Sequence, residues 1–410
     1  MNGVPILLNN KAFTPFHFYS YFLSSVASFY QQYPKEKITF FLIGENEKES
    51  FHHSYYFDPI TIPLFLSLAD QLSKFHSEPI SLELYNTHST NKVLAFLDRS
   101  NFFNVSGNYA KPGKNILKFN REFLGFFNAN EQRPEHMVRF YSLNEVQSSH
   151  NMINVSTPEQ QRDLLIEYYT YKVKDHFEDI LKESHQSKQV VFDYVQILSE
   201  LITNGVLHSN SDVYALMFTN REKTCFSISD NGIGLFSSLA LKDKQVVNDS
   251  YKLFDLYNEL LNDIPLNVAD KIRQSFFAIF EALYYSILKD RKGLFDLMTT
   301  VVLDSNGYFR LHNNNAQIII SLRMFNEIQS LVNMRNLIYE NHLKYISKLI
   351  SEDEFTSAFN KLTLIVRSEF KKLISNIISN YNQDVKYSSI RLYEVRFKGV
   401  HIEVEIPKKY

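Results

Sequence analysis

A single cysteine, Cys225, stands in a chain of 410 residues. One thiol excludes an internal disulfide and fits a reducing compartment. It alternates with its neighbours in the strand-like run Cys225-Phe226-Ser227, and no His/Asp neighbourhood supports it as a nucleophile. It reads as a small buried hydrophobe. An excess of charge is also missing: 43 Lys and Arg face 45 Asp and Glu, a net charge of -2. No global basic field steers this chain onto nucleic acid, and direct nucleic-acid binding is not indicated. No window reaches the ~20 apolar residues that a membrane helix needs. Phe276 to Leu288 comes closest, but it is short and Glu281 interrupts it. No basic leader precedes an apolar run in Met1 to Asn10. These absences predict a cytoplasmic protein that is not inserted in a membrane. Tryptophan is absent and glycines number only 11, while Lys, Asn, Ile, Phe and Tyr are abundant. That bias points to an AT-rich genome more than to function.

What is present suffices for real cores. Hydrophobic residues make up 44% of the chain, and its length suggests roughly two to three domains. Residues 1–150 read as an α/β module. Lys37 to Ile43 is a β-rich run, and Tyr55-Tyr56-Phe57 is a shorter one. Pro59 and Pro63 lead into Leu64 to Phe75, where Leu64, Leu68 and Leu72 recur at helical spacing. Ile80 to Leu84 alternates as a strand, and Asn91 to Leu97 reads as a second helix. Strand and helix in alternation argue for a βαβ-type sheet. Residues 36–105 resemble a STAS-like module in this order, up to the segment Leu97 to Phe103.

Residues 107–157 are transitional, and Pro158 is a good first helical residue, so a domain boundary is placed there. From Pro158 the chain predicts helices over Pro158–Glu183 and Val190–Ser209, then a hairpin of Val213–Thr219 and Thr224–Ser229. Residues 235–292 are largely helical, and Gly293–Leu303 is another helix. Gly307–Leu311 and Gln317–Ile320 form a second hairpin across Asn313-Asn314-Asn315. Residues 324–380 read as two or three amphipathic helices. Val395–Ile406, with Gly399 inside, is the last strand.

Chemistry concentrates in two segments. On one helix, Glu200, Asn204 and His208 lie four apart and share a face. A helical face opposite an apolar side rarely carries such a stripe unless something contacts it. One hairpin later comes Asp230-Asn231-Gly232-Ile233-Gly234. Reaction at a γ-phosphate needs a group that orients or deprotonates the nucleophile, a magnesium ligand and donors for the phosphates. Glu200 suits the first role and the Asn204 oxygen the second. Asp230 can accept a hydrogen bond from the exocyclic amine of adenine. Gly232 and Gly234 let backbone approach the base and adopt positive φ.

Glu200-Leu201-Ile202-Thr203-Asn204-Gly205-Val206-Leu207-His208-Ser209 and Asp230-x-Gly232-x-Gly234 resemble the first two boxes of the GHKL (Bergerat-fold) ATP-binding domain. That family includes histidine kinases, anti-sigma-factor serine kinases, gyrase B subunits, MutL proteins and heat-shock chaperones. The resemblance covers about 160–325 and 390–408. It implies a fold class: a small N-terminal α/β (STAS-like) domain, then a Bergerat-type α/β sandwich over 158–410. A lid at 235–292 and a helical insertion at 324–380 would elaborate that sandwich. It implies ATP and Mg2+ as cofactors, Glu200 as catalytic residue, and Asn204 as metal ligand. Asn204, Asp230, Gly232, Gly234, Lys292, Gly293 and Leu294 would bind nucleotide.

The family's glycine-rich lid hinge is represented only by Arg291-Lys292-Gly293-Leu294, with one glycine. There the Gly293 amide is expected to meet phosphate, with charge from Lys292 and Arg291. In the last strand Val400 stands where the family usually has a Thr that helps hold adenine. Three functions are compatible: an ATPase switch, a protein kinase of the anti-sigma or histidine type, and an ATP-binding interaction module with little turnover. A regulatory part in a bacterial stress or phage-defence system is compatible with all three. A protein partner is expected, and a homodimer stays open. His176-Phe177-Glu178-Asp179 invites a phosphoacceptor reading, but it lies too close to the first box and lacks an acidic residue directly after His.

Overall fold

The computed structural model describes residues 3–44, 47, 53–107, 115–124, 136–149, 157–183, 186–209, 211–241, 252–380 and 388–408. The N-terminal part opens with β1 (Gly3–Leu7), β2 (Ala12–Phe13) and α1 (Pro15–His17), which runs through one π turn into α2 (Leu23–Gln32). Then follow β3 (Thr39–Ile43), β4 (Tyr56–Phe57), α3 (Thr61–His76), β5 (Ile80–Glu83), α4 (Asn91–Arg99), α5 (Phe102–Gly107) and β6 (Leu117–Lys118). Strands β1, β3, β5 and β6 pair in that order, all parallel. Parallel strands need crossovers, and the intervening helices supply them.

A second, fully antiparallel sheet has seven strands in the order β12-β11-β10-β13-β9-β8-β7. These are β7 (Arg139–Tyr141), β8 (Val213–Thr219), β9 (Lys223–Asp230), β10 (Tyr308–Asn313), β11 (Ala316–Ile320), β12 (Ile390–Leu392) and β13 (Val400–Pro407). Its helices are α6 (Leu143–Ser149), α7 (Pro158–Glu183), α8 (Lys188–Ser209), α9 (Gly234–Ala240), α10 (Asp255–Asp263), α11 (Asp270–Ile287), α12 (Leu294–Thr299), α13 (Phe325–Ile346) and α14 (Glu352–Asn380).

Period-two alternation sorts the large sheet's two faces. Val213, Ala215, Met217, Phe226, Ile228 and Ile402 share a core with α7, α8 and α11. The alternate residues Tyr214 and Leu216 belong to the N-terminal core instead. Helix α3 lies between the two sheets and packs on β8 and β9. Thr61 to Asp70 are ten consecutive buried residues, because a helix covered on two sides has no solvent face along that stretch. The protein is therefore a mixed α/β structure with one parallel and one antiparallel sheet.

Helix α8 is long and apolar enough to cross a membrane by length and composition, but 61% of its window is buried within the fold, so it is a core helix. Three expectations change. Strand β7 lies ahead of the expected boundary, yet it pairs with β8 in the second sheet. The last strand begins at Val400, not at Val395, and Phe397 instead enters the N-terminal core. The helix expected over Gly293–Leu303 is α12 followed by a π turn at Thr300–Asp304. Part of the expected lid, residues 242–251, lies outside the described residues.

Candidate functional site

Helix α8 carries Glu200, and the end of β9 carries Asp230; both line one cavity of about 140 Å3. Asn204, Gly234, Lys292, Gly293 and Leu294 line it too, as does Val400. Residues 170 positions apart thus converge, because β13 pairs with β9 along its length and brings Val400 beside Asp230.

Asp230 is buried, and burial pushes its carboxyl up to about 6. Its Oδ1 accepts the Gly232 N–H at 2.8 Å and the Val400 N–H at 3.4 Å. Among the described residues Oδ2 accepts no hydrogen bond, which leaves it available to the cavity. Val400 lacks a hydroxyl, yet its backbone N–H serves the same aspartate. The residue before it, Gly399, has φ 122°, and a Cβ there would stand 2.1 Å from the Asp230 carbonyl oxygen. Only glycine permits that close approach.

Positive φ was expected at Gly232 and Gly234, but only Gly234 adopts it (79°). Gly232 is buried, does not line the cavity, and acts through its N–H on Asp230. At Gly234 an added Cβ would meet Asn314 Nδ2 at 2.5 Å. The β10–β11 turn supports this loop: Asn313 Oδ1 accepts the Leu235 N–H at 2.9 Å, and its Nδ2 donates to Ser275 O at 2.9 Å.

The side chain of Asn204 ends in an Oδ1 that is buried with no hydrogen-bond partner. A buried orphan acceptor is uncommon and calls for an explanation. Glu200 is 6% exposed and ion-paired with Arg162 of α7, a partner that sequence spacing does not reveal. Burial, then the nearby Arg291, lowers the Arg162 pKa. The side chain of His208, third in the stripe, lies outside the described residues.

The cations at the cavity mouth are paired. Lys292 Nζ lies 2.6 Å from Asp193, and Arg291 lies 2.7 Å from Asp163. Lys289, which the sequence reading passed over, also lines the cavity, with its Nζ 4.5 Å from the centre of the Tyr285 ring. The Gly293 amide, expected to meet phosphate, donates to Asp296 Oδ2 at 2.8 Å and so holds the start of α12. Its backbone is extended (φ -162°), open to any residue. A wider groove of about 920 Å3 runs along α7 and α8 and shares Glu200 and Lys292 with the cavity.

His176 is packed against the core. Its Nδ1 meets the Tyr141 hydroxyl at 2.8 Å, and burial pushes its pKa down to about 3. Cys225 is buried, with its thiol pushed up to about 12 by burial, as a packing residue should be. No cluster of three or more His, Cys, Asp or Glu suited to a metal occurs among the described residues. Comparison with family models finds no match, and comparisons with curated proteins and with solved structures find none either.

Proposed function

We propose that the protein binds ATP·Mg in this cavity and acts as a GHKL-type ATPase whose nucleotide state switches its conformation. The observation that carries the reading is the convergence of Glu200, Asn204, Asp230 and Val400 on one cavity. In support, the second sheet packs a helical core on one face, the layering of an α/β sandwich. The N-terminal module fits a STAS-like unit in its strand–helix order.

The cavity of about 140 Å3 is below the ~300 Å3 of ordinary small-molecule pockets. It suits a flat ring, not a whole nucleotide. Adenine would sit against Asp230, whose Oδ2 takes the exocyclic amine. The triphosphate would leave toward Lys289, Lys292 and the adjoining groove. The residues fit magnesium, since Asn204 offers an orphaned hard oxygen and this ion takes only one or two protein ligands beside phosphate and water. When bound, the ion neutralises phosphate charge. Glu200 orients the attacking water and accepts its proton as the new oxygen–phosphorus bond forms and the bond to ADP breaks. Glu200→Ala should retain ATP binding, with hydrolysis reduced about 100-fold or more. ATP turnover equal to wild type in that variant would sink the assignment.

A second reading is an ATP-binding module with slow turnover. Two observations favour it: Arg162 holds Glu200, and Asp296 occupies the Gly293 amide. Calorimetric ATP binding without phosphate release selects it.

A further inference from the structure

The adenine-facing loop is held from behind by the N-terminal module. Asn231 sits between Asp230 and Gly232 and is 6% exposed. Its Nδ2 donates to Asp70 Oδ2 at 2.5 Å, a buried bond between parts of the chain 161 residues apart. Asp70 lies on α3 and is 2% exposed. The same oxygen holds Lys74 at 2.9 Å, and Lys74 also reaches Asp212, just ahead of β8, at 3.6 Å. The next residue, Gln71, donates Nε2 to the Lys398 carbonyl at 2.8 Å. Lys398 precedes Gly399 and Val400, which pack on and donate to Asp230. Consecutive residues of α3 therefore grip both segments that position the Asp230 carboxylate.

A buried charged acceptor needs donors, and Asn231 and Lys74 supply them here. Acceptor angle matters to a hydrogen bond, which weakens steeply when misaligned. A carboxylate held by two backbone N–H groups keeps its angle only while both backbones stay put.

We propose that Asp70, seconded by Gln71, is a specificity-determining positioning residue for the purine base. It acts through Asn231 and Lys398 on Asp230, and so makes base discrimination depend on the N-terminal module. This rests on the nucleotide reading above.

The probes are ATP and inosine triphosphate, which lacks the exocyclic amine. Dissociation constants for both are measured on the full chain without turnover. Wild type should prefer ATP by about tenfold or more, the worth of a charge-assisted hydrogen bond. Asp70→Ala should bring that ratio to within about threefold of unity. Asp70→Asn, whose amide oxygen still accepts from Asn231, should keep most of it, and Gln71→Ala should reduce it partly. Leu94→Ala, a cavity in the N-terminal core away from this contact, controls for lost stability and should leave the ratio intact. If Asp70→Ala unfolds, Gln71→Ala decides alone. A wild-type ratio in Asp70→Ala, or an equal collapse in Leu94→Ala, overturns the inference and leaves the nucleotide reading standing. Failure of wild type to bind ATP overturns both.

Discussion

At the residue scale, Asp230 shows how one side chain can serve two masters. Burial raises its pKa to about 6, while two backbone N–H groups act to lower it. An adenine amine needs the ionised form. At pH 7 the carboxyl is mostly ionised, and at pH 5 it is mostly protonated. ATP affinity should therefore fall about tenfold between pH 7 and pH 5. Titration calorimetry at the two values checks this, and a flat profile would remove Asp230 as the acceptor. The stability of the ligand-free fold moves the other way. Because the native pKa lies above the unfolded value, the native state takes up the proton first. The contribution of Asp230 to stability therefore rises as pH falls from about 6 toward 3.8. Gly234→Ala tests the neighbouring loop. With φ 79° and Asn314 in the way, it should cost about 1–3 kcal/mol in urea unfolding. A loss under about 0.5 kcal/mol would show that the loop relaxes freely.

Elements are tied to each other by single buried ions. Arg335 of α13 is 4% exposed. It donates to the carbonyls of Ile287, Lys289 and Arg291 and to the Asp296 carboxylate. This one fork gathers the whole connection from α11 to α12, which carries Lys289 and Lys292. The helices at 324–380, expected as an insertion, thereby shape the cavity mouth, and Tyr339 of α13 lines the adjoining groove. Arg335→Ala should cost about 3 kcal/mol, since it leaves Asp296 and the loop carbonyls without their donor. It should also speed amide exchange across 287–296. Lysine cannot reproduce the planar fork and should rescue little. Exchange rates unchanged in Arg335→Ala would break the link. Glu281 plays a similar part: the residue that interrupts the apolar run of α11 accepts the N–H groups of Phe254 and Tyr257, at the start of α10. Its charge looked like a flaw in a hydrophobic segment, and it is a cap for the neighbouring helix.

On the scale of the whole molecule, both faces of the large sheet are packed against other parts of the chain. Helices α7, α8 and α11 cover one side. The N-terminal module packs on the other, where Tyr214 and Leu216 enter its core together with Tyr393 and Phe397 from the segment after β12, and polar groups line the same face. Among these, His401 bonds Tyr19 and Ser227, and Arg310 meets Glu403 at 3.4 Å. Cutting the chain at the boundary expected near residue 158 would remove β7 and uncover that face. The fragment 158–410 should therefore be oligomeric or insoluble by size-exclusion chromatography, because an apolar patch and a strand edge are both released. A monomeric fragment with native ATP affinity would show that the two halves are independent, and would also contradict the coupling through Asp70.

The sequence by itself determined the elements and the chemistry that local order encodes. Periodicity marked α3, α7, α8, both hairpins and the two long helices near the C-terminus. The spacing within Glu200–Asn204 and within Asp230–Gly234 nominated Glu200, Asn204, Asp230 and Gly234, which line the cavity. Such signals are local, because a helical face or a tight turn depends on residues a few positions apart. The tertiary structure alone decided the partners. Arg162 on Glu200, Asp70 on Asn231, Arg335 on the 287–296 connection and the Val400 amide on Asp230 join residues 38 to 170 positions apart. None has a signature in spacing, since long-range contacts are set by how sheets and helices stack. The same stacking turned the Gly293 amide onto Asp296 and placed β7 in the second sheet. It also made the N-terminal module a wall behind the Asp230–Gly234 loop.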